Sequence, residues 1–536
     1  MDTRLIQPAE TWDQLRAEFH WDIPPFFNMA EACVSRWARH DPDRLALIHV
    51  DGAGEETRHS FGELEEKSTA LAAHWREKGI GKGDVVAILL SQSPEVLIAH
   101  FAAYKLGAIA LPLFVLFGED ALAYRLLDSA AKCVVTDEEN LPKVAAIRAK
   151  LPELAWIYTT TPCDGAAHFS DAYSHPVDAF SPLRTHADDP AVLIYTSGTT
   201  GSPKGVLHAH RFLIGHLPTV EISLGFFPQD GDRGWTPADW AWIGGLMDMA
   251  MPCLYHGVSQ LSCRMRKFDP DYTFELIDRY QLKNLFLPPT ALKVMRRAKA
   301  PKEIKLRSIS SGGEALGDAL QAWAKEVLGA PINELYGQTE CNLSVTSCAQ
   351  IGAQKAGTIG RATPGFDIAI LDENGAECPT GQIGEIAVKS PNPIMMLRYL
   401  NKPDETTQKF RGPWLLTGDM GQMDADGYIR FSARADDVIT SAGYRVGPAE
   451  IEECLITHED VVNAAVVGIP DLERTERIKA FIVLRGGASW EGMEEALIAL
   501  VKARISPHVA PREVVQIAAL PMTATGKVLR RDLKAL

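Results

Sequence analysis

Tyr195-Thr-Ser-Gly-Thr-Thr-Gly-Ser-Pro-Lys-Gly205, near the middle of a chain of 536 residues, is the stretch on which the rest turns. It alternates hydroxyls with glycines, which suits neither a helix interior nor a strand interior. Ahead of it, Ala191-Val-Leu-Ile194 is an apolar run with the length of a buried strand. Glycines let successive backbone N–H groups converge on an anion, hydroxyls add donors, and Lys204 adds a cation. With a strand leading in and Pro203-Lys204-Gly205 leading out, the stretch reads as a phosphate cradle, with a flexible Gly/Ser/Thr linker as the alternative. It is not a Walker loop. That pattern needs Gly-x-x-x-x-Gly-Lys-Ser/Thr, and here Gly201 is followed by Ser-Pro-Lys-Gly, which disfavours P-loop kinases and GTPases.

The length exceeds what one core supports and allows roughly two to four domains. A hydrophobic fraction of 46% with 23% charged residues is ordinary for a globular protein. The net charge of −15, from 54 basic and 69 acidic residues, argues against a nucleic-acid partner. An anionic substrate must therefore meet a local positive site. Nine cysteines run from Cys33 to Cys454 without a C-x-x-C pair, which disfavours a disulfide framework or a zinc site and favours a reducing, cytoplasmic setting. The N-terminal Met1-Asp-Thr-Arg-Leu-Ile-Gln-Pro8 lacks the basic and apolar regions of a signal peptide. Residues Leu97 to Phe117 are apolar enough to invite a membrane assignment, yet contain His100, Tyr104, Lys105 and Pro112. They are expected to form a core helix and then a buried strand, with no membrane span.

Outward from the loop, helices and strands alternate. Ser60-Phe-Gly-Glu63 is a capping-box pattern opening a helix that stops at Gly79. A strand at Asp84–Leu90, a helix from about Pro94 to Leu106 and a strand at Ala108–Pro112 follow, the signature of parallel sheet covered by helices. Beyond the loop, a helix at Tyr272–Tyr280 and strands at Asn284–Leu287, Leu306–Ile309 and Ile332–Tyr336 repeat the pattern, with a helix to Leu328 between the last two. Those two end in Ser310-Ser-Gly-Gly-Glu314 and a Gly-bearing segment after Tyr336, where open α/β sheets bind ligands. After about Arg434 come a helix from Pro448, strands Ala464–Ile469 and Ile478–Leu484, a helix Glu491–Ile505 and a strand Val514–Ile517. The expected fold is α/β: a large N-terminal domain of layered α/β sheets, residues 1–435, and a small mobile α+β C-terminal domain, residues 436–536.

Six stretches together resemble the acyl-CoA synthetase, adenylation-domain and luciferase superfamily of adenylate-forming enzymes, over most of the chain from about residue 30. They are Tyr195–Gly205, Ser311-Gly-Gly-Glu314, Tyr336-Gly-Gln-Thr-Glu340, Thr417-Gly-Asp419, Arg434-Ala-Asp-Asp-Val-Ile439 with Gly443-Tyr-Arg445, and Pro521-Met-Thr-Ala-Thr-Gly-Lys527. Within that superfamily Trp235-Thr-Pro-Ala-Asp-Trp-Ala-Trp242 and Gly443–Glu450 look most like acetyl- and medium-chain acyl-CoA synthetases. The resemblance implies two half-reactions: a carboxylate attacks the α-phosphorus of ATP to give acyl-AMP and pyrophosphate, and the thiol of CoA then displaces AMP.

The difficulty lies in bringing an anion onto a polyanion. Two like charges about 4 Å apart repel by ~1 kcal/mol in water but ~4 kcal/mol at an effective dielectric near 20. By resemblance Lys527 supplies the countercharge, bridging the carboxylate and the α-phosphate, with Thr339 and Arg434 as further catalytic contacts. Thr196, Ser197, Gly198, Thr199, Thr200 and Lys204 would hold the β- and γ-phosphates. Gly313, Glu314, Ala315, Glu334, Tyr336, Gly337 and Gln338 would surround the adenine, Asp419 the ribose hydroxyls, and Arg445 a phosphate. Thr199 and Glu340 would be the magnesium-associated pair, since Mg²⁺ takes hard oxygen ligands. Asp436 occupies the hinge, and Gly443 would leave a channel for the pantetheine arm of CoA, with Lys502 near its 3′-phosphate.

The resemblance also places Trp242, Ile243, Gly244, Gly312 and Gly337 around the acyl group. Acetate-specific relatives have Trp at the position of Gly337 and Val at that of Gly312, so a medium-chain, branched or aromatic acid is expected here, in keeping with a role in fatty acid metabolism. At ~0.8 kcal/mol per methylene, four buried methylenes give about two decades of selectivity. The remaining alternatives are a stand-alone adenylation enzyme using an acceptor other than CoA and a non-catalytic nucleotide-binding protein. Lys527 further resembles a site at which a lysine acetyltransferase silences relatives. A monomer or small homo-oligomer is expected.

Overall fold

The computed structural model describes residues 2–536 apart from 178–179, 197–202, 302–303, 314–315, 435–436, 442–443, 472–474, 508 and 523–527. The chain falls into two compact units. The first comprises Met1–Lys355, Gly360–Asp367 and Ser390–Pro413; the second comprises Ala356–Ile359, Ile368–Lys389 and Trp414–Leu536. The chain thus changes unit after Lys355, Ile359, Asp367, Lys389 and Pro413.

Two sheets build the first unit. One has eight strands in the order Arg398–Tyr399, Lys204–Ala209, Pro190–Thr196, Ile109–Pro112, Val85–Leu89, Cys133–Thr136, Trp156–Thr159 and Ala167–His168. From Pro190–Thr196 onward the neighbours are parallel; the first two pairings are antiparallel. Val85–Leu89 and Cys133–Thr136 are buried at every position, as strands covered on both faces must be. The helix Phe61–Glu77 opens with the reciprocal Ser60–Glu63 capping box. Helix Pro94–Leu106 starts on a proline and ends at Gly107, whose φ of 66° closes the turn without a Cβ penalty. Buried Lys105 explains how an apolar run of membrane length belongs in a core. Its ammonium lies 2.8 Å from Glu65 and bonds the Ser68 and Thr69 hydroxyls, all on the preceding helix. Among the described residues no helix is long and apolar enough to cross a membrane.

The other sheet runs Glu56–Ser60, Leu45–Val50, Gln260–Cys263, Gly234–Trp235, Asn284–Phe286, Ser308–Gly312, Ile332–Tyr336, Val345–Thr346 and Gly360–Ala362. Its central strands, Leu45–Val50 to Ile332–Tyr336, are parallel. Trp235, Leu285, Ile309 and Ile332 pack with Phe274 and Leu276 of helix Pro270–Arg279 in one core. One strand differs from the sequence expectation: it covers Ser308–Gly312 instead of Leu306–Ile309. Ser310, Ser311 and Gly312 pair in register with Asn333, Glu334 and Leu335, so a run that looks like polar loop is buried ladder.

In the second unit, Ile368–Leu371, Gly384–Lys389, Trp414–Met423 and Tyr428–Arg434 pair antiparallel in that order. A further sheet orders Tyr444–Val446, Ile439–Ser441, Thr475–Leu484 and Val461–Asp471, with Glu513–Gln516 parallel to Thr475–Leu484. Helices Pro448–Ile456 and Met493–Arg504 supply Ile451, Leu455, Leu497 and Val501 to the core over it. Arg530 ties Glu452 and Asp437 together at 2.7 and 3.2 Å.

Candidate active site

The Gly/Ser/Thr-rich segment joins Pro190–Thr196 to Lys204–Ala209, an antiparallel pair whose final rung is Thr196 against Lys204. Its mouth is pinned from outside: the Tyr124 hydroxyl donates to the Pro203 carbonyl at 2.9 Å, and that of Tyr195 to Asp128 at 2.7 Å. Ser197, Gly198, Thr199 and Thr200 lie outside the described residues, as do Glu314, Ala315, Asp436, Gly443, Lys527 and the side chain of Arg445.

Lys204 Nζ sits 5.1 Å from the ring centroid of Tyr399, and the Tyr399 hydroxyl donates to Glu340 Oε1 at 2.5 Å. Glu340 is nearly buried at 8% exposure, in a short 3₁₀ turn Thr339–Cys341 that continues the Ile332–Tyr336 strand. The Met396 amide donates to the Glu340 carbonyl at 2.9 Å, and the Leu400 amide to that of Gly205 at 2.7 Å. The segment around 396–400 therefore fastens the cradle to Glu340. Tyr399, the link in this chain, carries no motif signal in the sequence. The neighbouring histidines are core groups: His208 is fully buried and stacks on Phe212 at 3.7 Å, and His210 Nδ1 accepts from the Met29 amide at 3.2 Å. Burial holds both imidazoles far below their ordinary pKa, His210 down to about 3.

Two adjacent parallel strand ends gather the groups expected around adenine. Ser308–Gly312 delivers Gly312 and Gly313, the latter at φ +102° with open space where a Cβ would stand. Ile332–Tyr336 delivers Glu334 and Tyr336, two residues apart on the same half-exposed face. Gln338 and Thr339 follow at once, the Gln338 carbonyl accepting from the Cys341 amide at 3.0 Å.

The glycines expected around the acyl group divide into two kinds. A Cβ on Gly337 would stand 2.2 Å from the Leu343 amide nitrogen, and one on Gly312 would stand 2.5 Å from the Leu335 carbonyl oxygen. Both hydrogens thus permit backbone to approach backbone, so the extra room inferred from them cannot be equated with the volume of a missing side chain. Gly244 instead faces side chains: a Cβ there would meet the Trp242 ring at 2.9 Å and the Phe286 ring at 3.0 Å. Trp242 and Phe286 are 5.6 Å apart and pack with Met249, Leu335 and Leu343, while Ile243 is buried beside them.

In the second unit, Asp419 and Arg434 are directly opposed across Trp414–Met423 and Tyr428–Arg434, with Nη1 and Oδ1 3.0 Å apart. The Thr417 hydroxyl accepts from the Asp419 amide at 3.1 Å, and Glu385 accepts from the Gly418 amide at 2.8 Å. Glu385 is a support that the motif did not announce. Lys502 lies exposed in the last turn of helix Met493–Arg504.

Residues 34–400 match the AMP-binding enzyme family, and residues 450–527 match its AMP-binding enzyme C-terminal domain. The chain is 34% identical to the acyl-coenzyme A synthetase ACSM4, mitochondrial, of Homo sapiens, over 96% of its own length and 91% of that protein's. It is 33% identical to the acetyl-coenzyme A synthetase of Bacillus subtilis (strain 168), over 95% and 90% respectively. The crystal structure of the anthranilate CoA ligase AuaEII in complex with anthranoyl-AMP superposes with a TM-score of 0.88 at 27% identity, covering 96% of this chain and 98% of that one. Family match and full-length relatives agree: the chain belongs to the AMP-forming acyl-CoA synthetases, enzymes that use ATP to convert a carboxylic acid to acyl-AMP and then pass it to CoA.

Proposed function

We propose that the acid is larger than acetate: medium-chain, branched or aromatic. The observation that carries this reading is the apolar and aromatic surface of Trp242, Phe286, Met249, Leu335 and Leu343 beside the glycines expected at the acyl group; at Gly244 the missing Cβ lets two rings close in and does not itself measure free space. The test is pyrophosphate release with ATP across acetate, medium-chain, branched and aromatic acids, with and without CoA. Acetate as the best substrate would overturn it, and a product that forms equally without CoA would point to another acceptor.

The residue roles belong to the same proposal. The hairpin from Thr196 to Lys204 holds the β- and γ-phosphates, Tyr336 with Gly313 and Glu334 receives adenine, and Asp419 with Arg434 takes the ribose. Glu340 is the candidate magnesium carboxylate. One oxygen accepts the Tyr399 hydroxyl, and the other accepts no hydrogen bond among the described residues. Among those residues no group of three or more His, Cys, Asp or Glu could hold a metal ion, which suits an ion that takes most of its ligands from phosphates and water. When bound, it would neutralise phosphate charge.

Lys527 supplies the charge at the bond being made, and the segment from Asp436, with Gly443 and Lys502, serves the thioester half as a mobile 436–536 domain. Lys527→Ala should abolish acyl-AMP formation yet spare thioester formation from supplied acyl-AMP; equal loss of both would remove this role. Acetylation of Lys527 should act like that variant, and chemical or enzymatic acetylation without loss of the first half-reaction would exclude it. The same proposal includes a role in fatty acid metabolism. It also includes a cytoplasmic, reducing setting, supported by nine free cysteines, and a monomer or small homo-oligomer. Fractionation of the host cell and light scattering check the last two.

A further inference from the structure

A polar cluster interrupts the apolar wall beside the acyl-pocket glycines. Asn342 Nδ2 donates to Asp248 Oδ1 at 2.7 Å and stands 3.0 Å from His216 Nε2. The tautomer follows from the next bond along: His216 Nδ1 is 2.7 Å from the Phe212 carbonyl, which can only accept. The proton is therefore on Nδ1, Nε2 accepts, and both amide hydrogens of Asn342 are used. Asn342 Oδ1 and Asp248 Oδ2 then accept no hydrogen bond among the described residues, although Asn342 is 6% and Asp248 4% exposed. Neither oxygen is among the sealed, partnerless polar atoms of the described residues, so both open onto space from which a donor can reach them.

The position of the cluster says where that donor comes from. Asp248 lies about one turn beyond Gly244 in the helical stretch 243–255. The backbone of Asn342 lies 2.9 to 3.0 Å from where a Cβ on Gly337 would stand. Met249 and Leu343, the residues next to Asp248 and Asn342 in sequence, belong with Leu335 to the apolar cluster against which Trp242 packs. Resting on the acid-activating function proposed above, we infer that the acyl body of the substrate carries a hydroxyl or amino group, received by Asn342 Oδ1 and Asp248 Oδ2. Burial also raises the Asp248 carboxyl well above its ordinary range, so Oδ2 can keep its proton; a hydroxyl, which can donate to Asn342 Oδ1 and either donate to or accept from Oδ2, suits the pair better than an ammonium. A wall that must satisfy buried acceptors rejects the unsubstituted analogue far more strongly than an apolar wall rejects one missing methylene.

The experiment is pyrophosphate release with matched pairs of acids that differ only by one hydroxyl or amino group: benzoate against its hydroxy and amino derivatives, and hexanoate against hydroxyhexanoates. At least one substituted acid should exceed its parent in kcat/KM by about tenfold or more. In Asn342→Val and in Asp248→Leu that ratio should collapse towards one. A merely structural cluster would lower both members of a pair together and leave the ratio unchanged. Parents equal to or better than every substituted partner in the wild type, or a ratio unchanged in both variants, overturns the inference alone. No pyrophosphate from any acid overturns the activity reading and this inference with it.

Discussion

Glu340, in the turn after strand Ile332–Tyr336 in the first unit, and Asp419, in the middle of strand Trp414–Met423 in the second, are both nearly buried carboxylates, yet they are held in opposite ways. Asp419 faces a guanidinium fixed opposite it by strand register, so its charge is answered within the protein. Glu340 is answered, among the described residues, by the phenol of Tyr399, and Lys204 Nζ stands 5.1 Å from the centroid of that ring. A buried charge without an ionic partner is a standing cost that proteins keep for a use. The difference teaches how the labour is divided. On the roles proposed above, Asp419 would accept neutral hydroxyl donors such as those of a ribose, and Glu340, with no ion pair among the described residues, would await a cation.

Four variants break or sharpen that contrast. Glu340→Gln should cut pyrophosphate release by about 10²–10³-fold, the scale of losing one electrostatic contact to the transition state, while Tm does not fall. A loss of Tm in step with activity would mean that Glu340 is structural. Asp419→Asn removes a charged acceptor and breaks its 3.0 Å ion pair with Arg434, so KM for ATP should rise about tenfold, ~1.4 kcal/mol, with Tm falling as well. Stability should thus follow the paired carboxylate, and turnover the unpaired one. Tyr399→Phe deletes only the hydroxyl, and a three- to tenfold drop in kcat, with a steeper dependence on Mg²⁺ concentration, is the expected result.

The smallest effect concerns a third carboxylate with no strong partner. Burial raises Asp239 to about 6 from 3.8, against a bond from the Ala241 amide and the more distant Arg264. Because its folded pKa lies above the unfolded one, the protein binds more protons when folded, and the contribution of Asp239 is lost as pH rises from about 4 to 6. Asp239→Asn should flatten the Tm profile in that window by on the order of 1–2 °C, measured by calorimetry. An unchanged profile would mean that the carboxyl titrates normally.

Much of this was legible before any coordinates. The capping box at Ser60–Glu63 and the proline-to-glycine span of helix Pro94–Leu106 are written in local chemistry, and they form as read. The buried continuous strands are equally plain, since covered parallel sheet leaves no room for alternation. The Ser310-Ser311-Gly312 ladder was not plain, because its hydroxyls are buried by neighbours distant in sequence. Strands Ile368–Leu371 and Gly384–Lys389 are too short to stand out, and Trp414–Met423, although ten residues long with alternate positions buried over most of its length, is disguised because Thr417, Gly418 and Asp419 break its apolar pattern. At the candidate site, motifs pointed to Glu340 and Asp419, whereas Tyr399, Glu385 and the Asp248–Asn342–His216 cluster come together only through packing.

The five unit changes along the chain bear on how such an enzyme can be recombined with its relatives. A chimera joined at one point cannot exchange the second unit cleanly. Any junction after Pro413 leaves Gly384–Lys389 from one parent to zip against Trp414–Met423 from the other, unless the junction lies beyond that sheet. Transplanting the unit means carrying Ala356–Ile359 and Ile368–Lys389 along with the C-terminal stretch as separate inserts. Modularity here is a property of the folded object and not of the gene, and a library built on single crossovers will select against its own most informative hybrids.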